Sequence, residues 1–236
     1  MEHNTISFIL YQPGVPGNIG ACARAMKTMG FSDLRLVNPV AHLTDEARMM
    51  AHGSRDLLEN CTVYERYADA VEDIDFTICT TAKKKAAKVD YLPSSELGSF
   101  VEGKLPVAGR IGIIFGSEES GLPGSIIRQA NAGVTIPMYA PYPSLNLSQA
   151  VMVIAYELSS ITYPSASGAQ EQEPSSNEAS WRALEERTSM LLEKAGILPS
   201  TPLYHRILER MSFLKASDAR LVHSVTSRIT ELLERR

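Results

Sequence analysis

The sequence predicts an α/β fold: a parallel sheet covered by helices on both faces, with a small C-terminal all-helical appendage. Three observations carry this. Across residues 1–163, short uniformly apolar runs alternate with helical patterns. Strands buried on both faces read that way, because crossover helices cover each side of the sheet. Residues 164–180, "PSASGAQEQEPSSNEAS", are almost free of large apolar side chains and read as a linker. Residues 181–236 then show apolar residues at helical spacing only.

Taken in order, Ile6–Tyr11 ("ISFILY") is a strand, followed by a Gly/Pro loop and a helix through "GACARAMKTMG" that stops at Gly30. Leu34–Val37 is a strand closed by "NP". "TDEARMMAHG" opens on a threonine cap and stops at Gly53. "TVY" is a weak strand and "RYADAVED" a short helix. Asp75–Thr81 and Arg110–Gly116 are strongly β-patterned. "PGSIIRQA" reads as a helix, "GVTIPM" as a strand, and Leu145–Ile161 as a long, nearly wholly apolar helix. The tail gives helices over Trp181–Ala195, Pro202–Leu214 and Ala219–Leu233, a core small enough to need support from the main domain or a second subunit.

Composition narrows the function classes. The net charge of -4 argues against bulk nucleic-acid binding. Residues 164–236 carry ten basic and ten acidic side chains, so the tail is no basic arm. A local exception is "AKKKAAK", which places Lys83, Lys84, Lys85 and Lys88 just after a strand, as a solvated loop or a phosphate grip. Cys22, Cys61 and Cys79 are scattered and odd in number, which fits a reducing compartment and no metal site. No apolar run spans a membrane, and "MEHNTISFIL" lacks a basic leader, so a cytoplasmic protein is expected.

In parallel sheets ligands bind beyond the carboxyl ends of the strands. Three motifs follow such ends. In "GVPGNIGACARAMKTMG", glycines 14, 17 and 20 invite a dinucleotide reading and a nicotinamide oxidoreductase. The spacing is GxxGxxG, however, and Asn38 stands where an acidic ribose binder belongs. Arg24 on the following helix is either a surface residue or a fork-shaped phosphate clamp. In "IIFGSEESGLPG", Gly116 lets backbone approach a ligand, and Glu118 and Glu119 follow in a tight turn. In "PYPSLNLSQAV", Ser144 or Asn146 opens the long helix, as a plain N-cap or as part of an anion or polar-ligand site.

Together, "GNIGACARA", "FGSEESGL" and "YPSLNLSQAV" closely resemble the three signature motifs of the SPOUT superfamily, in its SpoU branch of RNA ribose 2′-O-methyltransferases. The resemblance covers residues 6–162. "ARAMKTMGFSDLRLVNP" and the helical appendage look most like the TrmJ type, which methylates a pyrimidine ribose in the tRNA anticodon loop, and its LasT-like relatives.

The resemblance implies a C-terminal trefoil knot in the sheet domain and S-adenosylmethionine held in it. By position, Thr80, Thr81, Ala82, Gly116, Ile136, Pro143, Ser144 and Leu145 would bind that cofactor. Arg24 would be the key catalytic and RNA-gripping residue, with Asn18, Glu118, Ser144 and Asn146 ordering the site. Lys83, Lys84, Lys85 and Lys88 would add RNA contacts. It also implies a homodimer with active sites at the subunit junction. The expected substrate is a pyrimidine at tRNA position 32. Ribosomal RNA, another tRNA, or a non-catalytic RNA-binding relative remain alternatives, and a nucleotide-dependent oxidoreductase is a distant one.

Overall fold

The computed structural model describes residues 5–82, 91–139, 144–162 and 181–234. Among these, seven strands form one parallel sheet: β1 (Ile6–Tyr11), β2 (Asp33–Val37), β3 (Thr62–Tyr64), β4 (Phe76–Thr80), β5 (Tyr91–Pro93), β6 (Ile111–Phe115) and β7 (Ala132–Thr135). Their order is β3-β2-β1-β6-β4-β7-β5, and every pairing is parallel. The helices of the sheet domain are α1 (Pro16–Thr28), α2 (Asp45–Met50), α3 (Arg55–Glu59), α4 (Tyr67–Ala70), α5 (Leu97–Glu102), α6 (Gly124–Gln129) and α7 (Leu147–Thr162). The tail holds α8 (Trp181–Lys194), α9 (Pro202–Ser212) and α10 (Ala216–Glu234).

Successive strand residues point to opposite faces, and both faces are buried here. Ile6, Phe8 and Leu10 of β1 join one apolar cluster with α1, α2, α5 and α7, while Ile9 joins a second with α6. Ile113 and Ile114 of β6 divide the same way. Phe8 packs against Phe31 and Phe115 at centroid distances of 5.0 and 5.8 Å in the larger cluster.

Helix α1 departs from the sequence expectation. It starts at Pro16, not near Gly20, with proline at a first-turn position where its missing N–H costs nothing. Gly17 and Gly20 therefore lie inside a helix rather than in a ligand loop. A Cβ on Gly20 would sit 2.0 Å from the Ala47 carbonyl oxygen, so these glycines let α1 press against α2. That removes the physical basis of the dinucleotide reading. The helix ends as read: Gly30 has φ 84°, and Phe31 N–H donates to Met26 O at 2.9 Å.

Elements α3, β5 and α5 were not anticipated. Each has three to six residues, too few to show a period. The trefoil crossing implied by the resemblance is not itself traced, because residues 83–90 and 140–143 lie outside those described.

The tail packs on the sheet domain. Trp181 lies edge-on to Phe76 at 5.1 Å, and its main-chain N–H donates to Val107 O at 2.6 Å. Lys104, 1% exposed, sits over the rings of Phe76, Phe100 and Trp181 and donates to Leu214 O. Asn131 donates to Glu185 Oε2 at 3.1 Å, and Arg182 to Glu72 O at 2.9 Å. These contacts gather at the amino ends of β4, β6 and β7. A second polar knot closes the amino ends of β1 and β2. Arg35, 4% exposed, donates to Ala70 O at 2.8 Å and pairs with Asp33 and Asp73.

Candidate active site at the carboxyl rim

The carboxyl ends of β4, β6 and β7 enclose a cavity of about 290 Å³. That is close to the lower bound of ~300 Å³ for small-molecule sites. Of the residues expected to hold a cofactor, Thr80, Thr81, Ala82, Gly116, Ile136, Ser144 and Leu145 line it. Pro143 lies outside the described residues. Sequence reasoning missed the apolar walls Leu122, Val134, Met138, Leu147 and Ala150. The strand and helix periods mark these as core, and only the topology shows that they border a space.

The strand ends are held firmly. Thr80 Oγ1 donates to Ile114 O at 3.0 Å, and Thr81 N–H to Val134 O at 3.1 Å. Gly116 has a second constraint besides lining the cavity. A Cβ there would lie 2.2 Å from Gly121 C, so its own turn also approaches it closely. Gly121 closes that turn with φ 66° and an N–H donated to Ser117 O at 2.9 Å.

Three of the expected catalytic residues form one chain of hydrogen bonds. Glu118 Oε2 accepts from Gly14 N–H at 2.9 Å, and Oε1 accepts from Asn18 Nδ2 at 2.7 Å. Asn18 Oδ1 accepts from Asn146 Nδ2 at 2.9 Å. Asn146 Oδ1 in turn caps α7, accepting from Ser148 N–H at 2.8 Å, while Gln149 Oε1 accepts from Asn146 N–H at 3.0 Å. This is a reciprocal capping box. Asn146 is thus both the plain N-cap and a link between motifs. The chain joins residues more than a hundred positions apart, which no local pattern announces.

Burial, with the Glu118 carboxylate second, pushes the Cys22 thiol up, and burial pushes Cys79 up to about 12. Neither thiol is a ready nucleophile. Among the described residues, no group of three His, Cys, Asp or Glu side chains is placed to hold a metal ion.

Ser144 is exposed at the cavity mouth. Arg24 is elsewhere. It is exposed on α1, about 9 Å along the helix axis from Asn18, and does not line the cavity. Its guanidinium makes no hydrogen bond or ion pair with another described residue. Lys83, Lys84, Lys85 and Lys88 lie outside the described residues.

Residues 178–233 match the C-terminal domain model of the tRNA/rRNA methyltransferase LasT. The chain is 37% identical over 230 residues to the uncharacterized tRNA/rRNA methyltransferase LasT of Escherichia coli, covering 96% of this chain and 99% of that protein. It is 38% identical over 157 residues to the tRNA (cytidine-2′-O-)-methyltransferase TrmJ of Methanocaldococcus jannaschii, covering 65% of this chain and 66% of that one. The crystal structure of TrmJ from Z. mobilis ZM4 superposes with a TM-score of 0.63 at 28% identity, over 95% of this chain and 98% of that one. Residues 5–156, which contain the three motifs, the cavity and the hydrogen-bond chain between them, match the SpoU rRNA Methylase family, and the chain belongs to that family.

Proposed function

We propose that the chain transfers the methyl group of S-adenosylmethionine to a ribose 2′-hydroxyl of RNA, with a pyrimidine at position 32 of the tRNA anticodon loop as substrate. The observation that carries this is the Glu118–Asn18–Asn146 chain, which ties all three motifs together at the mouth of a small-molecule cavity. Family membership and the activities named for its relatives support the reaction type.

The cavity suits the cofactor chemically. Leu122, Val134, Ile136 and Leu145 make an apolar slot that would suit an adenosine group, and Glu118 and Glu119 add negative charge to the lining, which would suit a cationic sulfonium. When bound, S-adenosylmethionine supplies an electrophilic methyl group. The chain's own residues have the remaining tasks: align the 2′-oxygen, exclude water and stabilise charge developing on it. Glu118, Asn18 and Asn146 are held by mutual bonds, so the rim is preorganised. Ser144 stands at the mouth to orient the hydroxyl.

Arg24 grips the phosphate beside the target ribose and stabilises the oxygen. It does not act as a base, because a guanidinium keeps its proton. Its distance from its own cavity favours a homodimer in which it serves the partner's site. Lys83, Lys84, Lys85 and Lys88 add phosphate contacts. Residues 1–163 form the catalytic domain, 164–180 a linker and 181–236 a helical extension. The free cysteines fit a cytoplasmic setting.

The test is methylation with labelled S-adenosylmethionine, offering tRNA and rRNA separately, with Arg24→Ala and Arg24→Lys. Label in tRNA, lost in both variants, is expected. Near-full rate in Arg24→Lys with unchanged RNA affinity would eliminate the clamp. Label in rRNA alone would replace the tRNA reading.

A further inference from the structure

The cavity occupies part of the carboxyl rim, over β6, β4 and β7. The ends of β1 and β2 adjoin it, since the order runs β2-β1-β6. There the backbone turns left-handed at two residues with side chains, Gln12 (φ 50°) and Asn38 (φ 44°). No other non-glycine residue among those described has positive φ. Each directly follows its strand. Tyr11 and Val37 are in register, so Gln12 and Asn38 follow paired positions on adjacent strands. Glycine would adopt this backbone more easily, so turn geometry alone does not call for these side chains. Strain of this kind gathers at functional sites.

The two main-chain N–H groups are used: Gln12 donates to Val37 O and Asn38 to Tyr64 O, both at 2.8 Å. The side-chain amides are not. Both residues are exposed, and neither amide is hydrogen-bonded to a described residue. Beside them lies a short apolar strip. Val40 N–H donates to Pro13 O at 3.2 Å, and a Cβ on Gly17 would meet Glu46 Oε1 at 2.5 Å. The loop after β2 is therefore tied along the start of α1. Between those ties Val15, Val40 and Leu43 are 40%, 39% and 40% exposed. Gly14, beside Val15 in the chain, donates its N–H to Glu118 Oε2 at 2.9 Å.

We propose that Gln12 and Asn38 are substrate-contacting residues that hydrogen-bond the edge of the unpaired base of the methylated nucleotide, with Val15, Val40 and Leu43 as the apolar shelf on which that base rests. This rests on the RNA-methyltransferase reading above. A ribose presented at the cavity mouth carries its base a few ångströms away, and the rim beyond β6 is formed by β1 and β2. An amide offers a donor and an acceptor side by side. Rotating it by half a turn exchanges them. One amide can therefore meet the N4–H and N3 of cytosine or the O4 and N3–H of uracil, and unpaired bases are read on this edge. Adenine and guanine present the same two patterns, so a pair of amides grips any unpaired base without a change of backbone.

The test uses the full chain with Gln12→Gly, Asn38→Gly and the double variant. Glycine relieves the left-handed backbone, so thermal stability is expected to hold or rise. RNA substrates carrying C, U, A or G at the methylated position are compared by kcat/KM, and S-adenosylhomocysteine affinity is measured by calorimetry. Each single variant is expected to lose about 10- to 100-fold in kcat/KM on every base the wild type accepts, mostly through KM. Cofactor affinity should stay within about twofold. Full kcat/KM in the double variant would overturn the proposal and leave the methyltransferase reading intact. No label from wild type on any RNA, with S-adenosylhomocysteine bound, would overturn both.

Discussion

Replacing Gly20 by alanine should destabilise the protein, against the usual sign for a helix interior. In an ordinary helix this change gains about 1 kcal/mol. Here the new Cβ would lie 2.0 Å from the Ala47 carbonyl oxygen and 2.8 Å from its carbon. Both are backbone atoms and cannot rotate away. Relief needs α1 and α2 to part by about 1 Å, an overpacking strain of about 1–3 kcal/mol or more. A net loss of roughly 2 kcal/mol corresponds to a fall of about 4–8 °C in Tm for a domain this size. The shift should also reach Asn18, half a turn earlier, whose amide is 2.7 Å from Glu118. Scanning calorimetry and the methylation assay would be read together. A Tm equal to or above wild type would show that the α1–α2 contact is soft and refute the reasoning.

Glu118→Gln offers the Gly14 N–H or the Asn18 amide a donor where an acceptor was needed, so kcat should drop by about tenfold or more with little change in Tm, measured on the labelled-RNA assay. Burial lowers the Lys104 ammonium from 10.5 to about 8. An unfolded chain then holds that proton more tightly, so stability should climb as pH rises from about 8 to 10.5, by roughly 2–3 kcal/mol in urea titrations. Lys104→Met should flatten that climb. At the other end, the Arg35 guanidinium holds the Asp73 carboxyl down at about 2. Its contribution is present above the free carboxylate value and should be lost as pH falls from about 4 to 2. Arg35→Ala should cost about 3 kcal/mol and blunt that acid step, read by denaturant unfolding across pH.

The apolar strands β1, β2, β4 and β6 were legible because both their faces are buried, and their uniform patterns say so. The Schellman end of α1 was legible at Gly30. Its start was not, because Val15 is no capping residue and the glycines looked like a loop. Their real constraint, an α2 carbonyl, comes from elsewhere in the chain. Lys104 in "EGKLP" reads as a solvated lysine, and only tertiary packing places three aromatic rings around it. The site residues were named through family resemblance. The bonds linking Glu118, Asn18 and Asn146 depend on strand order, which periodicity does not encode. Gln12 carries no signal in sequence, since a left-handed backbone is expected of glycine or asparagine.

The tail is fastened at Phe76, Val107, Asn131 and Glu72, all near the amino ends of the strands, while the cavity opens at their carboxyl ends. Attachment and chemistry thus occupy opposite poles of one sheet. A lineage could exchange, lengthen or discard the helical extension without disturbing the atoms at the rim. Variation in the extension is in this way insulated from the demands of the chemistry at the rim.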